Sequence, residues 1–103
     1  MKVKGTTLFP AHVIDVMHGE RAITNFVILR ERDDLGMDQL RILVNTSTTD
    51  LAEMETRIGE RLNVRPMLVS ASNAEIDPIK LPAGARKPSL FIDRTNKTDI
   101  FAP

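Results

Sequence analysis

The sequence predicts a single α+β domain in which helices pack on one face of a mostly antiparallel sheet. An apolar stripe recurs every three or four residues over 50–62, as in an amphipathic helix, and apolar segments at 22–31 and 39–45 flank a polar loop, as in a β-hairpin. The length of 103 residues limits the chain to one ordinary domain. A content of 42% hydrophobic and 27% charged residues is typical of a globular protein.

The sequence of the first half of the chain indicates a short N-terminal segment, a helix and the hairpin. Residues 2–8 alternate weakly and form either a short strand or an ordered loop. Pro10 suits the first turn of a helix over 10–18, because its missing N–H has no partner there in any case. The strand at 22–31 is apolar on both parities, which indicates burial on both faces for part of its length, and 39–45 is the returning strand.

A second helix over 50–62 is the clearest element of the sequence. Asp50 and Glu53 have the spacing of a capping box, with aspartate at the N-cap position. The apolar stripe of this helix predicts burial against the sheet. Its members are Leu51, Met54, Ile58 and Leu62.

The last third of the chain completes the predicted order of elements. Residues 64–71 predict a strand, and Pro66, which lacks an N–H, favours an edge or a bulge. The polar segment 72–79 and the proline-containing loop 81–88 predict no regular element, whereas 90–92 predict a short strand. The resulting order, β-α-β-β-α-β with a terminal strand, is typical of a ferredoxin-like sandwich with two helices on one face.

Composition argues against several classes of function. The chain carries 14 basic and 14 acidic residues and no Trp or Tyr, so nucleic-acid binding is disfavoured. The absence of cysteine excludes disulfides, thiolate metal sites and cysteine nucleophiles. His12 and His18 fall on different faces of a helix and predict no metal site. Apolar runs are too short for a membrane span and the N-terminus does not resemble a signal peptide, so we expect a cytoplasmic protein.

Two segments resemble the phenylacetate-CoA ligase branch of the adenylate-forming acyl-CoA ligases. Residues 2–10, Lys-Val-Lys-Gly-Thr-Thr-Leu-Phe-Pro, are similar to the start of the small C-terminal domain of that family. Residues 86–94, Arg-Lys-Pro-Ser-Leu-Phe-Ile-Asp-Arg, resemble the family segment Gly-Lys-Ala-x-Arg-x-x-Asp-Arg. The resemblance implies a C-terminal lid domain over 1–95 and leaves 96–103 as a frayed tail.

The resemblance also implies roles for individual residues. In this family a large N-terminal domain binds ATP and a carboxylic acid, and the small domain rotates between acyl-adenylate formation and thioester formation with coenzyme A. Lys87 aligns with the lysine that assists adenylation, although the family glycine and alanine beside it are Arg86 and Pro88 here. Lys4 and Gly5 align with the turn that lines the pantetheine tunnel. Independently of the resemblance, the charges of Arg86, Lys87 and Arg94 predict a small basic patch for coenzyme A phosphates.

These assignments predict part of an enzyme, inactive as an isolated domain. The five glycines form no nucleotide-binding loop, so we expect catalysis to need the N-terminal adenylation domain, with ATP, coenzyme A and an aryl carboxylic acid as substrates. The alternative is a stand-alone ferredoxin-like regulatory or small-ligand-binding module that dimerises through its sheet. An in-frame coding region upstream of Met1 favours the first hypothesis, and a true start codon there favours the second.

Overall fold

The computed structural model describes residues 2–3, 6–32, 34–81, 84 and 86–94. They form the elements β1 (Lys2–Val3), β2 (Thr6–Thr7), α1 (Pro10–His18), β3 (Ile23–Arg32), β4 (Asp38–Thr46), α2 (Leu51–Leu62), β5 (Met67–Ser70), α3 (Asn73–Lys80) and β6 (Phe91–Asp93). Lys4, Gly5 and the predicted tail at 96–103 lie outside the described residues.

The main sheet is an open, mixed sheet of four strands in the order β5-β4-β3-β6. β3 and β4 pair antiparallel, as the hairpin pattern predicts, but β4–β5 and β3–β6 pair parallel. β4 and β5 are parallel because α2 carries the chain back along the sheet between them. β6 runs opposite to β5 and so parallel to β3, because the connection through α3 returns the chain to the end of the sheet where β5 ends. β1 pairs with β2 in a separate two-stranded sheet, so the first predicted strand does not join the main sheet as the β-α-β-β-α-β order requires.

One face of the sheet packs against α1 and α2. Alternate residues of β3 and β4 point to this face, which explains why Phe26 and Ile28 share a cluster with Ile42 and Val44. The helices contribute fully buried side chains to the same cluster. These are Val13, Val16, Met17, Met54 and Ile58. Burying each such side chain stabilises the fold by about 1.5–3 kcal/mol.

The two predicted helices pack on one face, but the opposite face is covered by a third helix, α3, which the sequence interpretation did not include. Val27 and Leu29 form a second core cluster with Ile76 of α3 and Ala71. The helix begins at a capping box in which the Ser72 hydroxyl accepts from the Glu75 N–H. The sequence interpretation assigned no element here because the segment is short and polar and contains a proline. That proline lies near the end of the helix, where it removes only one helical hydrogen bond.

Candidate functional site

The loop between α3 and β6 carries the lysine that the motif selected. Lys87 and Arg86 both lie exposed on this loop, so their side chains are accessible to molecules outside the domain. Lys4 and Gly5 lie outside the described residues.

Backbone hydrogen bonds hold the loop at its C-terminal end. The Ser89 N–H donates to the carbonyl of Lys80 at 2.7 Å, which joins the end of the loop to the end of α3. The Ile28 N–H donates to the Leu90 carbonyl at 2.8 Å, so the chain is already bound to β3 one residue later. Lys87 therefore extends from a segment that ends on the rigid sheet.

A network of amides and charges lies where α3 crosses the sheet. The Asn25 amide group donates to Asn73 Oδ1 at 3.0 Å and to Asp77 Oδ1 at 2.9 Å. Asn45 donates to the same Asn73 oxygen at 2.8 Å. The half-buried Lys80 ammonium donates to Asn25 Oδ1 at 2.7 Å. These bonds orient Lys80 and fix α3 against β3 and β4.

A shallow groove of about 590 Å³ lies beside this network. Its walls combine apolar side chains with an amide, a carboxylate and an ammonium group. They are Asn73, Ala74, Asp77, Pro78, Lys80, Leu81 and Pro88. Sequence reasoning missed this groove because it assigned no helix to 72–79. The spacing Ser72-x-x-Glu75 is the signal that indicates the helix.

On one face of the sheet, ion pairs join β6 to the end of the hairpin that lies next to the β3–β4 loop. Arg30 donates to Asp38 at 2.6 Å and to Asp93 at 2.9 Å, and Arg32 donates to Asp38 at 3.3 Å. Burial disfavours the charge of Arg30, but Asp38 and Asp93 outweigh it and raise the pKa of the guanidinium. Burial also disfavours the charge of Asp38, yet Arg30 and Arg32 hold the pKa of that carboxyl below its usual value.

The other face at this end holds a second set of ion pairs around Glu31. Arg41 donates to Glu31 Oε2 at 3.1 Å, and Arg94 donates to the same oxygen at 3.4 Å. The Arg94 N–H also donates to the Arg30 carbonyl at 2.7 Å. The Asp-Arg end of the second motif, Asp93 and Arg94, thus attaches β6 to β3.

Among the residues in the described ranges, no three or more His, Asp and Glu side chains form a group that suits a metal ion. None of the helices in these ranges has the length and apolar character needed to cross a membrane.

No protein-family model matches the sequence, and no curated protein matches it. Solved structures do match. A 2-hydroxyisobutyryl-CoA ligase in the postadenylation state, in complex with R3-HIB-AMP, has a TM-score of 0.62 and 17% identity over 99% of this chain. The same ligase with 2-HIB-AMP and CoA in the thioesterification state has a TM-score of 0.60 and 14% identity.

A domain of a phenylacetate-coenzyme A ligase from Bacteroides vulgatus ATCC 8482 has a TM-score of 0.59 and 16% identity. The alignment covers 90% of this chain and 90% of that domain, whereas this chain spans 23% of the 2-hydroxyisobutyryl-CoA ligase. These comparisons show a shared fold between this chain and one part of larger ligases.

Proposed function

We propose that this chain acts as the small mobile domain of an acyl-CoA ligase of the phenylacetate-CoA ligase type. The observation that carries the proposal is the agreement of fold with a separate domain of such a ligase over 90% of both chains. The segments 2–10 and 86–94 support it independently, because they occur in the family order near the two ends of the domain.

Lys87 is the proposed catalytic residue. Its exposed position beside a segment anchored on the sheet suits a group that reaches into an active site on another domain. In a closed site an ammonium between the substrate carboxylate and the α-phosphate offsets negative charge that increases in the adenylation transition state. Closure excludes water and strengthens that interaction.

Arg86, Lys4 and Gly5 are the proposed contacts to coenzyme A. Arg86 is exposed next to Lys87 and offers a planar guanidinium suited to phosphate oxygens. Gly5 has no Cβ, so the backbone there is able to approach a narrow pantetheine arm closely. ATP, coenzyme A and an aryl carboxylic acid are the substrates of the assembled enzyme in this proposal, and the large adenylation domain supplies the pocket for the acid.

Reconstitution with a large adenylation domain of the phenylacetate-CoA ligase type tests the proposal. Pyrophosphate release with an aryl acid measures the first half-reaction, and thioester formation measures the second. We expect both rates to rise when the wild-type chain is added. No gain over the large domain by itself would contradict the proposed function.

A matched pair of variants tests the assignment of Lys87. Lys87→Ala should slow pyrophosphate release about a hundredfold, as removal of one transition-state donor does elsewhere. Arg21→Ala removes a cation from another exposed position and should leave the rate unchanged. Equal rates for the two variants would show that Lys87 is not catalytic, even if the wild-type chain restores activity.

A further inference from the structure

β5 lies at one edge of the main sheet and donates a hydrogen bond to a side chain outside the sheet. β5 pairs with β4 on one side, and no described strand pairs with its other side. N–H groups point alternately to the two sides of a strand. The Ala71 N–H donates to Val44 of β4 at 2.9 Å, so the Leu68 N–H, three residues earlier, points to the outer edge.

A side chain from α2 occupies that outer position. Glu55 Oε2 accepts the Leu68 N–H at 3.0 Å, and Glu55 Oε1 accepts from Arg65 Nε at 3.2 Å. The Glu55 side chain is only 20% exposed, whereas Arg65 is 60% exposed. The carboxylate is therefore held between the edge of the strand and a cation, in the place where a neighbouring strand would supply a carbonyl.

The sequence around β5, the strand next to this carboxylate, lacks the charges that oppose pairing between two strand edges. Residues 66–72, Pro-Met-Leu-Val-Ser-Ala-Ser, contain no charged side chain. Natural edges are protected by short strands, by proline or by charges on the strand, most often lysine. β5 is short, at four residues, and follows Pro66, but it has no charge of its own. Met67 is 49% exposed, so an apolar side chain also lies at the open edge. Glu55 and Arg65, which form an ion pair at this edge, both lie outside β5.

We infer that the β5 edge is a latent strand-addition surface for a second copy of this chain, and that Glu55 blocks it. A second copy fits because an antiparallel pairing about Val69 is two-fold symmetric. In that pairing the outward Leu68 and Ser70 amides of each copy face the Ser70 and Leu68 carbonyls of the other, and the contact closes with two chains. Pro66, which has no N–H to donate, ends the pairing on one side.

Sedimentation velocity on the purified chain over a range of concentrations tests the inference. We expect the wild type to stay monomeric and Glu55→Ala to dimerise about tenfold more tightly, since one charge-assisted hydrogen bond no longer competes with pairing. Glu60→Ala removes an exposed carboxylate from the same helix and should behave as the wild type. Amide exchange at Leu68 and Ser70 should slow with concentration only in Glu55→Ala.

Two further variants distinguish strand pairing from loss of the fold. Glu55→Gln keeps an oxygen for the Leu68 N–H and loses the charge. Its tendency to dimerise should therefore lie between those of the wild type and Glu55→Ala. Adding Met67→Lys to Glu55→Ala should restore the monomer, because the added charge opposes edge pairing. The inference is overturned if the wild type already pairs through β5, if Glu55→Ala stays monomeric, or if its self-association survives Met67→Lys. It does not depend on the proposed ligase function.

Discussion

At the scale of single residues, burial separates the two lysines at the ends of the α3–β6 loop. Lys80 is half-buried, and its ammonium donates to Asn25, so it stabilises the packing of α3 on the sheet. Lys87 is exposed. An exposed ammonium is available to a substrate held by another domain, so this exposure supports the catalytic role proposed for Lys87 from its motif, whereas Lys80 has a structural role.

Asp38 provides a pH-dependent test of the ion pairs at the end of the hairpin. Its pKa in the folded chain is lowered, so its contribution to stability is present above the unfolded pKa and is lost as the pH falls through the folded pKa. Asp38→Asn should lower the free energy of unfolding by about 1 kcal/mol near pH 7. The difference from the wild type should shrink as the pH falls through the lowered folded pKa of Asp38 and vanish below that pKa.

Urea unfolding at a series of pH values measures this difference. Asp34→Asn is the control, because Asp34 lies exposed in the β3–β4 loop and should show no such effect. A difference between wild type and Asp38→Asn that stays constant with pH would show that Asp38 acts through packing and not through its charge.

At the scale of elements, side-chain caps determine where α2 and α3 begin. Asp50 accepts the Glu53 N–H at 3.0 Å at the start of α2, and Ser72 caps α3 in the same manner. α2 then ends at Asn63, which has a left-handed conformation with φ of 60°. The apolar stripe predicted α2 because it is long and periodic, whereas α3 has one fully buried residue and depends more on its cap.

Ser72→Ala tests how far α3 depends on its capping box. The substitution should lower the free energy of unfolding by about 1 kcal/mol, because the first turn of the helix loses an acceptor. Amide exchange over 73–80 should accelerate more than over α2. Ser47→Ala, in the β4–α2 connection, is the control. Equal effects of the two serine substitutions would contradict a capping role.

At the scale of the whole molecule, the sheet is the middle of three layers. α1 and α2 lie on one of its faces, and α3 lies on the other. β3 contributes to both cores, since Phe26 and Ile28 face one side and Val27 and Leu29 face the other. The two faces are therefore coupled through one strand, and α3 belongs to the same cooperative unit as the remainder of the domain.

Ile76→Ala tests this coupling. The side chain is fully buried, so the cavity should cost about 3 kcal/mol of stability, with unfolding still a single transition by circular dichroism and by amide exchange. Leu35→Ala, at an exposed position in the β3–β4 loop, should change stability little. A separate early transition confined to α3 would show that this helix unfolds independently.

The sequence by itself determined α1, the β3–β4 hairpin and α2, because each has a periodic pattern or cap within one continuous segment. It also selected Arg86 and Lys87, through a motif that fits in a few consecutive residues. Only the tertiary structure decided the parallel pairing of β5 with β4 and of β6 with β3, the covering of the second face by α3, and the groove beside Lys80. Those features join segments such as Asn25 and Asn73, which are 48 residues apart, and local patterns do not encode which distant surfaces meet.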